Sequence, residues 1–492
     1  MRAAAGVTVA LQLFMQMAAA STKLVCYFSN MSRYRPGVGK FLPENIDPLL
    51  CTHLVYASAV INHENELRES ERSERSLHRS FTQLKDRNSR LKTLLSVRGS
   101  SSGAQFSIML SSPSRRQRFI LSSVQLLRTR GFDGLHLDLD NSGPEDEQRI
   151  SLLCKELSEA FAAESDGDTQ LLLSAAVTAH TGHTGNDVTD ISKYVDFISV
   201  KTFDLHGDED GVTAHHSPLF SDSHANIDDV INLWMKRGVP AGKLLLGFPT
   251  HARSFTLSST AAGLGAPVSG PASPGPFTQQ SGVWSYYETC SFLRGTSALW
   301  VEAQKVPFAV KGSQWVGFDD QRSYDAKVEY LRSRRLGGAA VWTLDMDDFS
   351  GQFCESGKYP LISHLRQKLR EDWTTQETPP SSPPSSPPSS SPESTHVEQL
   401  TTAAADSSCL LNITVAFPVS SFCTHRADGL YVTSQHPHTL FRCVQRKMYV
   451  TKCHSLEVQH SSTVIATPSQ AVVTVSLLFA SIFHMLGVWS VS

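Results

Sequence analysis

Eight short apolar runs recur along this chain, and they limit its possible folds more than any other feature. They are Lys23–Phe28, His53–Ala59, Leu91–Val97, Gly134–Asp140, Leu171–Val177, Phe197–Phe203, Leu244–Thr250 and Gly338–Met346. Segments with helical periodicity, such as Arg115–Arg130 and Ser151–Ala163, lie between most of them. Strands alternating with helices imply parallel βαβ units. Eight such strands predict an α/β fold, the closed (β/α)8 TIM barrel. The gap between the seventh and eighth runs is much longer than the others. It carries Trp284, Tyr286, Tyr287 and Cys290, with Gly/Pro-rich sequence around Gly263–Pro276. A small α+β subdomain inserted over about 252–320 fits that gap. With 44 Lys+Arg against 47 Asp+Glu, the chain has no polybasic surface for nucleic acid.

The two ends predict an address. One early positive charge at Arg2, an apolar run to Met17 and a small-residue exit at Ala18-Ala19-Ala20 describe a secretory signal peptide over 1–20. The barrel then occupies 21–373. A Pro/Ser/Thr-rich linker follows over 374–408, in which Pro379–Pro392 contains only Pro and Ser and must be an extended spacer. Residues 409–460 hold Cys409, Cys423, Cys443 and Cys453, a small disulfide-stabilised module. The tail over 461–492 carries no charged residue from Ala471 onward and is preceded by Ser461-Ser462-Thr463. Small residues, a polar spacer and a terminal apolar stretch form a glycosylphosphatidylinositol (GPI) signal, with Ser461 or Ser462 as the attachment residue. A retained membrane span is the alternative. Both place the protein outside the cell, where disulfides form and the sequons at Asn30 and Asn412 are expected to carry glycans.

Chemistry enters in the fourth run, Phe132-Asp133-Gly134-Leu135-His136-Leu137-Asp138-Leu139-Asp140. Side chains alternate across a strand, so His136, Asp138 and Asp140 share a face. Strand C-terminal ends build the active site of such a barrel, and polar groups on one inward face are costly without a purpose. In this run, with Tyr34-Arg35-Pro36-Gly37, Asp204-Leu205-His206-Gly207, Gly247-Phe248-Pro249-Thr250 and Val341-Trp342-Thr343-Leu344-Asp345, the chain resembles the family 18 glycoside hydrolases. It is most similar to the mammalian-type acidic chitinases and chitinase-like lectins, and 409–460 resembles a degenerate type-2 chitin-binding module.

The resemblance implies an Asp-x-x-Asp-x-Asp-x-Glu motif. Its Glu is the general acid, and its middle carboxylates orient the substrate's N-acetyl group, the internal nucleophile. Here Asp133 and Asp138 are kept, while His136 replaces the second Asp and Asp140 the Glu. An acid one methylene shorter withdraws its proton by about 1 Å, enough to cost on the order of 100-fold. His136 supplies no second carboxylate and is expected to hydrogen-bond or ion-pair with Asp138. Other positions depart too. Phe203 stands for a Tyr, Lys201 for a Met, Asn141 for a Tyr and His251 for a Tyr; Asn30-Met31 and Arg98-Gly99-Ser100 replace Trp-containing segments. Aromatic faces on which sugars stack are thereby lost. Trp342 is kept as the floor of the central subsite, and with Asp204, Asp138, Asn141, Lys201 and Arg98 it makes the glycan-binding set. The family also implies disulfides Cys26–Cys51 and Cys290–Cys354. A glycan on Asn30 would sit at the barrel mouth.

Three readings follow: a silent chitinase-like surface glycoprotein binding a chitooligosaccharide-like glycan or an extracellular protein; a weak chitinase using Asp140 as acid; or a structural protein without a glycan ligand. No cofactor or metal is expected, since His180, His183 and His215-His216 lack a tight ligand spacing and read as a solvated loop. Cys154, at an apolar helical position, reads as a buried thiol.

Overall fold

The computed structural model describes residues 22–98, 104–139, 146–165, 169–178, 188–223 and 225–370, and five strands between 397 and 452. The signal-like segment, Asp140, Asn141, His180, His183, Cys409, Asn412, Cys423, Cys453, Ser461 and Ser462 lie outside the described residues.

The first eight strands are β1 (Lys23–Ser29), β2 (His53–Ile61), β3 (Leu67–Arg68), β4 (Lys92–Arg98), β5 (Gly134–Asp138), β6 (Leu172–Thr178), β7 (Phe197–Lys201) and β8 (Leu244–Pro249). Next come β9 (His251–Leu257), β10 (Val268–Pro271), β11 (Val283–Ser285), β12 (Leu299–Val301), β13 (Val306–Lys311) and β14 (Gln314–Gly317), and then β15 (Gly338–Trp342). Eight of these pair in parallel in the order β1-β15-β8-β7-β6-β5-β4-β2, and β1 pairs with β2 to close the ring. β3 is a short antiparallel extension of β2. The expected α/β barrel is therefore present. The fourth, sixth and eighth strands stop earlier than their apolar runs, at Asp138, Lys201 and Trp342. After Lys201 the chain leaves the strand: Thr202 N donates back to Val200 O at 3.0 Å, and Asp204 has a φ of 56°.

Alternation sorts the strand residues into two cores. Leu24, Cys26, Phe28, Leu54, Leu95, Leu135, Leu173, Ile198 and Leu246 point outward and pack with the helices. Inside the ring, Val25, Val55, Leu94, Phe197, Leu245 and Ala340 form an apolar plug. Further toward the strand C-termini the lining becomes polar, with buried Ser96, His136, Ser174 and Ser199. Two residues beyond Ser96, His136 and Ser199 come Arg98, Asp138 and Lys201, and Trp342 follows two residues after Ala340. The interior thus runs from apolar to ionic toward the strand C-termini, where barrel chemistry is built. Ring closure depends on Gly338: its φ is 150°, and a Cβ there would lie 2.0 Å from Lys23 O.

The inserted α+β subdomain is a sheet of order β10-β9-β14-β13-β12, with β11 on β9 and a helix over Tyr286–Leu293. The bonds Cys26–Cys51 and Cys290–Cys354 are formed. Cys154 is free and buried, and burial pushes its thiol up to about 12. Asn30 differs from expectation. It is 9% exposed, and its amide nitrogen donates to Glu74 Oε1 and to Ser58 O (3.4 Å). That nitrogen is where a glycan would attach, and in the folded chain it is engaged in hydrogen bonds instead.

The second unit, 381–492, is described by its backbone strands: β16 (Val397–Leu400), β17 (Val415–Phe417), β18 (Gly429–Thr433), β19 (His436–Val444) and β20 (Lys447–Lys452). They form an antiparallel sheet of order β16-β18-β19-β20-β17, with Cys443 on β19 opposite Gly429 and Met448. Among the described residues no helix is long and apolar enough to cross a membrane.

Candidate functional site

Register decides which side chains meet at the top of the barrel. Arg98 of β4 lies directly beside Asp138 of β5, and His136 beside Ser174 of β6. Arg98 Nε donates to Asp138 Oδ2 at 3.1 Å, and Lys201 Nζ from β7 donates to Asp138 Oδ1 at 2.8 Å. Burial alone would raise the Asp138 pKa, but Lys201 and Arg98 outweigh it and hold the carboxyl below its ordinary value. Asp138 is thus ionised and clamped between two cations.

His136 does not pair with Asp138 as its sequence position suggested. Its Nε2 lies 3.0 Å from the Tyr27 hydroxyl and its Nδ1 2.8 Å from Ser174 Oγ, so both ring nitrogens are engaged elsewhere. The imidazole is fully buried. Burial pushes its pKa down to about 4, with Lys201 assisting and Asp138 opposing. A neutral His136 joins two hydroxyls into one network below the ionic layer and carries no charge to offer a reacting centre at neutral pH.

Trp342 closes β15 and forms one wall. Tyr27 packs beside it with ring centroids 5.2 Å apart. Lys201 Nζ stands 5.3 Å and Arg98 Cζ 5.7 Å from the indole centroid, both in cation–π range. Tyr27, Ser199, Lys201, Phe203, Gly247 and Trp342 line a small cavity of about 10 Å³. Phe203 is buried there and meets His251 edge-on at 5.6 Å.

Asp133 is not part of this group. At about 3.3 Å per residue it lies about 16 Å back along the strand from Asp138. Its Oδ2 accepts from Lys85 Nζ (2.9 Å), Thr93 N (2.8 Å) and Thr93 Oγ1 (3.0 Å), pinning β5 to β4 at the bottom of the barrel.

Asp204 anchors a second cluster. Its Oδ1 accepts from Arg253 Nε (2.7 Å), lies 2.9 Å from His251 Nε2 and 3.4 Å from His216 Nδ1. The expectation of a solvated loop for His215-His216 is wrong: they are 1% and 0% exposed. A buried ion pair holds them, because Lys327 Nζ reaches both Asp319 Oδ1 (2.5 Å) and Ser217 Oγ (2.8 Å). Polar composition suggested a surface loop, whereas the strands after residue 250 and the helix over Gln321–Ser333 cover it. Sequence reading also missed Tyr27, Ser174, Ser199 and Arg253 as site residues. Arg253 could have been found two positions after His251, on the same face of its strand.

Comparison with known proteins agrees with this geometry. Residues 23–347 match the model of the glycosyl hydrolases family 18. Mouse chitotriosidase-1 is 39% identical over 459 residues, 90% of this chain and 94% of that protein. Human chitinase-3-like protein 2 is 40% identical over 381 residues, 74% of this chain and 96% of its own length. Human YKL-39, whose solved structure is described as a pseudo-chitinase with retained chitooligosaccharide binding, superimposes with a TM-score of 0.68 at 40% identity, over 71% of this chain and 99% of that one. The chain belongs to family 18 of the glycosyl hydrolases, among chitinases and chitinase-like proteins.

Proposed function

We propose that this protein is a catalytically silent, chitinase-like glycoprotein of the outer cell surface that binds chitooligosaccharide-like or related N-acetylhexosamine glycans without cleaving them. One observation carries the reading: Asp138 is held ionised between Lys201 and Arg98, with His136 locked neutral beneath it. An ionised carboxylate can accept an N–H from an acetamido group. It has no proton to share, and His136 cannot take the part of a second carboxylate. Asp140, shorter than the family's Glu, is in the same reading too short for efficient general-acid transfer, a step worth about 100- to 10,000-fold.

The glycan-binding set is Trp342, Asp204, Asp138, Asn141, Lys201 and Arg98. Its support is the indole of Trp342 at the strand C-termini and the relative described as a pseudo-chitinase with retained chitooligosaccharide binding. Surface attachment rests on the signal-like first 20 residues and the uncharged tail, with Asn412 as the remaining sequon. The two cations over the indole favour a second reading, in which no sugar stacks on Trp342 and the barrel serves protein interaction.

The test is to incubate the purified ectodomain with chitotetraose, weigh the products by mass spectrometry, and measure binding in parallel by calorimetry. Intact tetrasaccharide with saturable binding supports the proposal. Intact tetrasaccharide without binding supports the second reading, and turnover overturns both. Release from cells by a phosphatidylinositol-specific phospholipase tests the anchor.

A further inference from the structure

The cluster around Asp204 also has the chemistry of a metal site. Asp204, His216 and His251 each offer one ligand atom, all within 4.8 Å of one another. They come from three places: the loop after β7, the buried turn that follows it, and the start of β9. The Asp204 Oδ1 to His251 Nε2 separation is 2.9 Å and that to His216 Nδ1 is 3.4 Å. Ligands bound to zinc at 2.0–2.2 Å in tetrahedral geometry stand about 3.3 Å apart, so little movement is needed to seat an ion.

His216 supplies the independent observation. It is 0% exposed, and neither ring nitrogen has a hydrogen-bond partner. Nδ1 reaches Asp204 only at ion-pair range, and His251 Nδ1 is likewise buried without a partner. Buried polar atoms are almost always satisfied, and one left without a partner asks for an explanation. The residues on either side remove the possibility of simple disorder. His215 is fixed through Nε2 to Phe318 O (2.8 Å) and through Nδ1 to Ser217 N (3.0 Å), and Ser217 Oγ donates to Thr202 O at 3.0 Å. His216 is thus held beside Asp204 and His251, with Nδ1 making only the 3.4 Å approach to Asp204 and Nε2 buried without a partner. His251 stands where the family pattern has Tyr, so this ligand belongs to this chain and not to the family's shared sugar-binding apparatus.

We propose that Asp204, His216 and His251 bind a divalent transition-metal ion, with zinc the best match to two imidazoles and one carboxylate. Asp204 is partly exposed at its side chain, while both histidines are buried. Arg253 opposes the ion: its guanidinium donates to the same Asp204 oxygen. Like charges at this range repel, so the site is weaker than a structural zinc centre, and neutralising Arg253 should tighten it by about tenfold or more.

The test uses the full ectodomain, stripped with chelator and titrated with Zn²⁺ alone by calorimetry, with Co²⁺ absorption as a readout independent of any variant. The expected result is one equivalent of zinc and the visible bands of tetrahedral Co²⁺. His216→Asn and His251→Tyr should each weaken binding by more than about 100-fold, beyond the cost of losing an outer partner, and Arg253→Met should strengthen it. Absence of stoichiometric zinc binding, or binding that survives in either histidine variant, overturns the proposal. Neither outcome depends on whether the cleft binds glycan.

Discussion

His136 makes the barrel acid-labile in a defined window. In the unfolded chain its pKa is about 6.5; in the folded chain burial lowers it to about 4. As pH falls the unfolded chain takes the proton first. Stability is therefore fully present above pH 6.5 and drains away as pH falls toward 4. At 1.36 kcal/mol per pH unit, the loss reaches about 2 kcal/mol near pH 5 and about 3 kcal/mol at pH 4. The half-buried His53 and the buried His78, His215 and His216 also have lowered pKa values, so the wild-type slope alone does not isolate this group. The difference between the wild type and His136→Gln does. Glutamine keeps a donor and an acceptor for the Tyr27–Ser174 network and cannot titrate. Urea denaturation of both proteins at pH 7.5 and pH 5 gives a double difference in which the packing cost of the substitution cancels. The expected value is about 2 kcal/mol, with the variant less pH-sensitive. Equal slopes in the two proteins would refute the claim that His136 is a neutral, buried network member.

Asp138→Asn leaves Lys201 and Arg98 facing an uncharged amide. It should cost about 3 kcal/mol in urea denaturation, and adding Lys201→Met should recover part of that loss. The triple variant His136→Asp, Asp140→Glu, Phe203→Tyr should remain silent on a fluorogenic chitobioside because Lys201 still neutralises Asp138. Adding Lys201→Met to it should give measurable turnover, and activity in the triple variant alone would show that the lysine is not the block. Gly338→Ala should abolish soluble expression, since the new Cβ collides with Lys23 O where the ring closes; a folded variant by circular dichroism would contradict this.

Much of the fold was legible because alternation and apolar runs are local signals. The eight barrel strands, and the inward face shared by His136 and Asp138, follow from a period of two. Partners across the sheet are not local. Arg98 falls beside Asp138, and Ser174 beside His136, only once the ring has closed in this register, so the expected His136–Asp138 pairing was misassigned. His215 and His216 looked solvated because their segment is polar, yet Lys327, ion-paired to Asp319 and more than 100 residues away in sequence, donates to Ser217 Oγ and draws that turn into the interior. The sequon at Asn30 is readable as a pattern, but its amide is spent on Glu74. The family resemblance supplied the disulfide pairs, which no spacing argument fixes. Asp133, part of the same motif, proved to be a pin at the opposite end of its strand.

The central claim is that a clamped Asp138 and a neutral His136 leave this barrel able to hold an N-acetylhexosamine chain but not to cut it. Crystals of the ectodomain soaked with chitotetraose test both halves at once. The account predicts an unbroken tetrasaccharide in the cleft, its N-acetyl group directed toward Asp138. Cleaved sugar would contradict it.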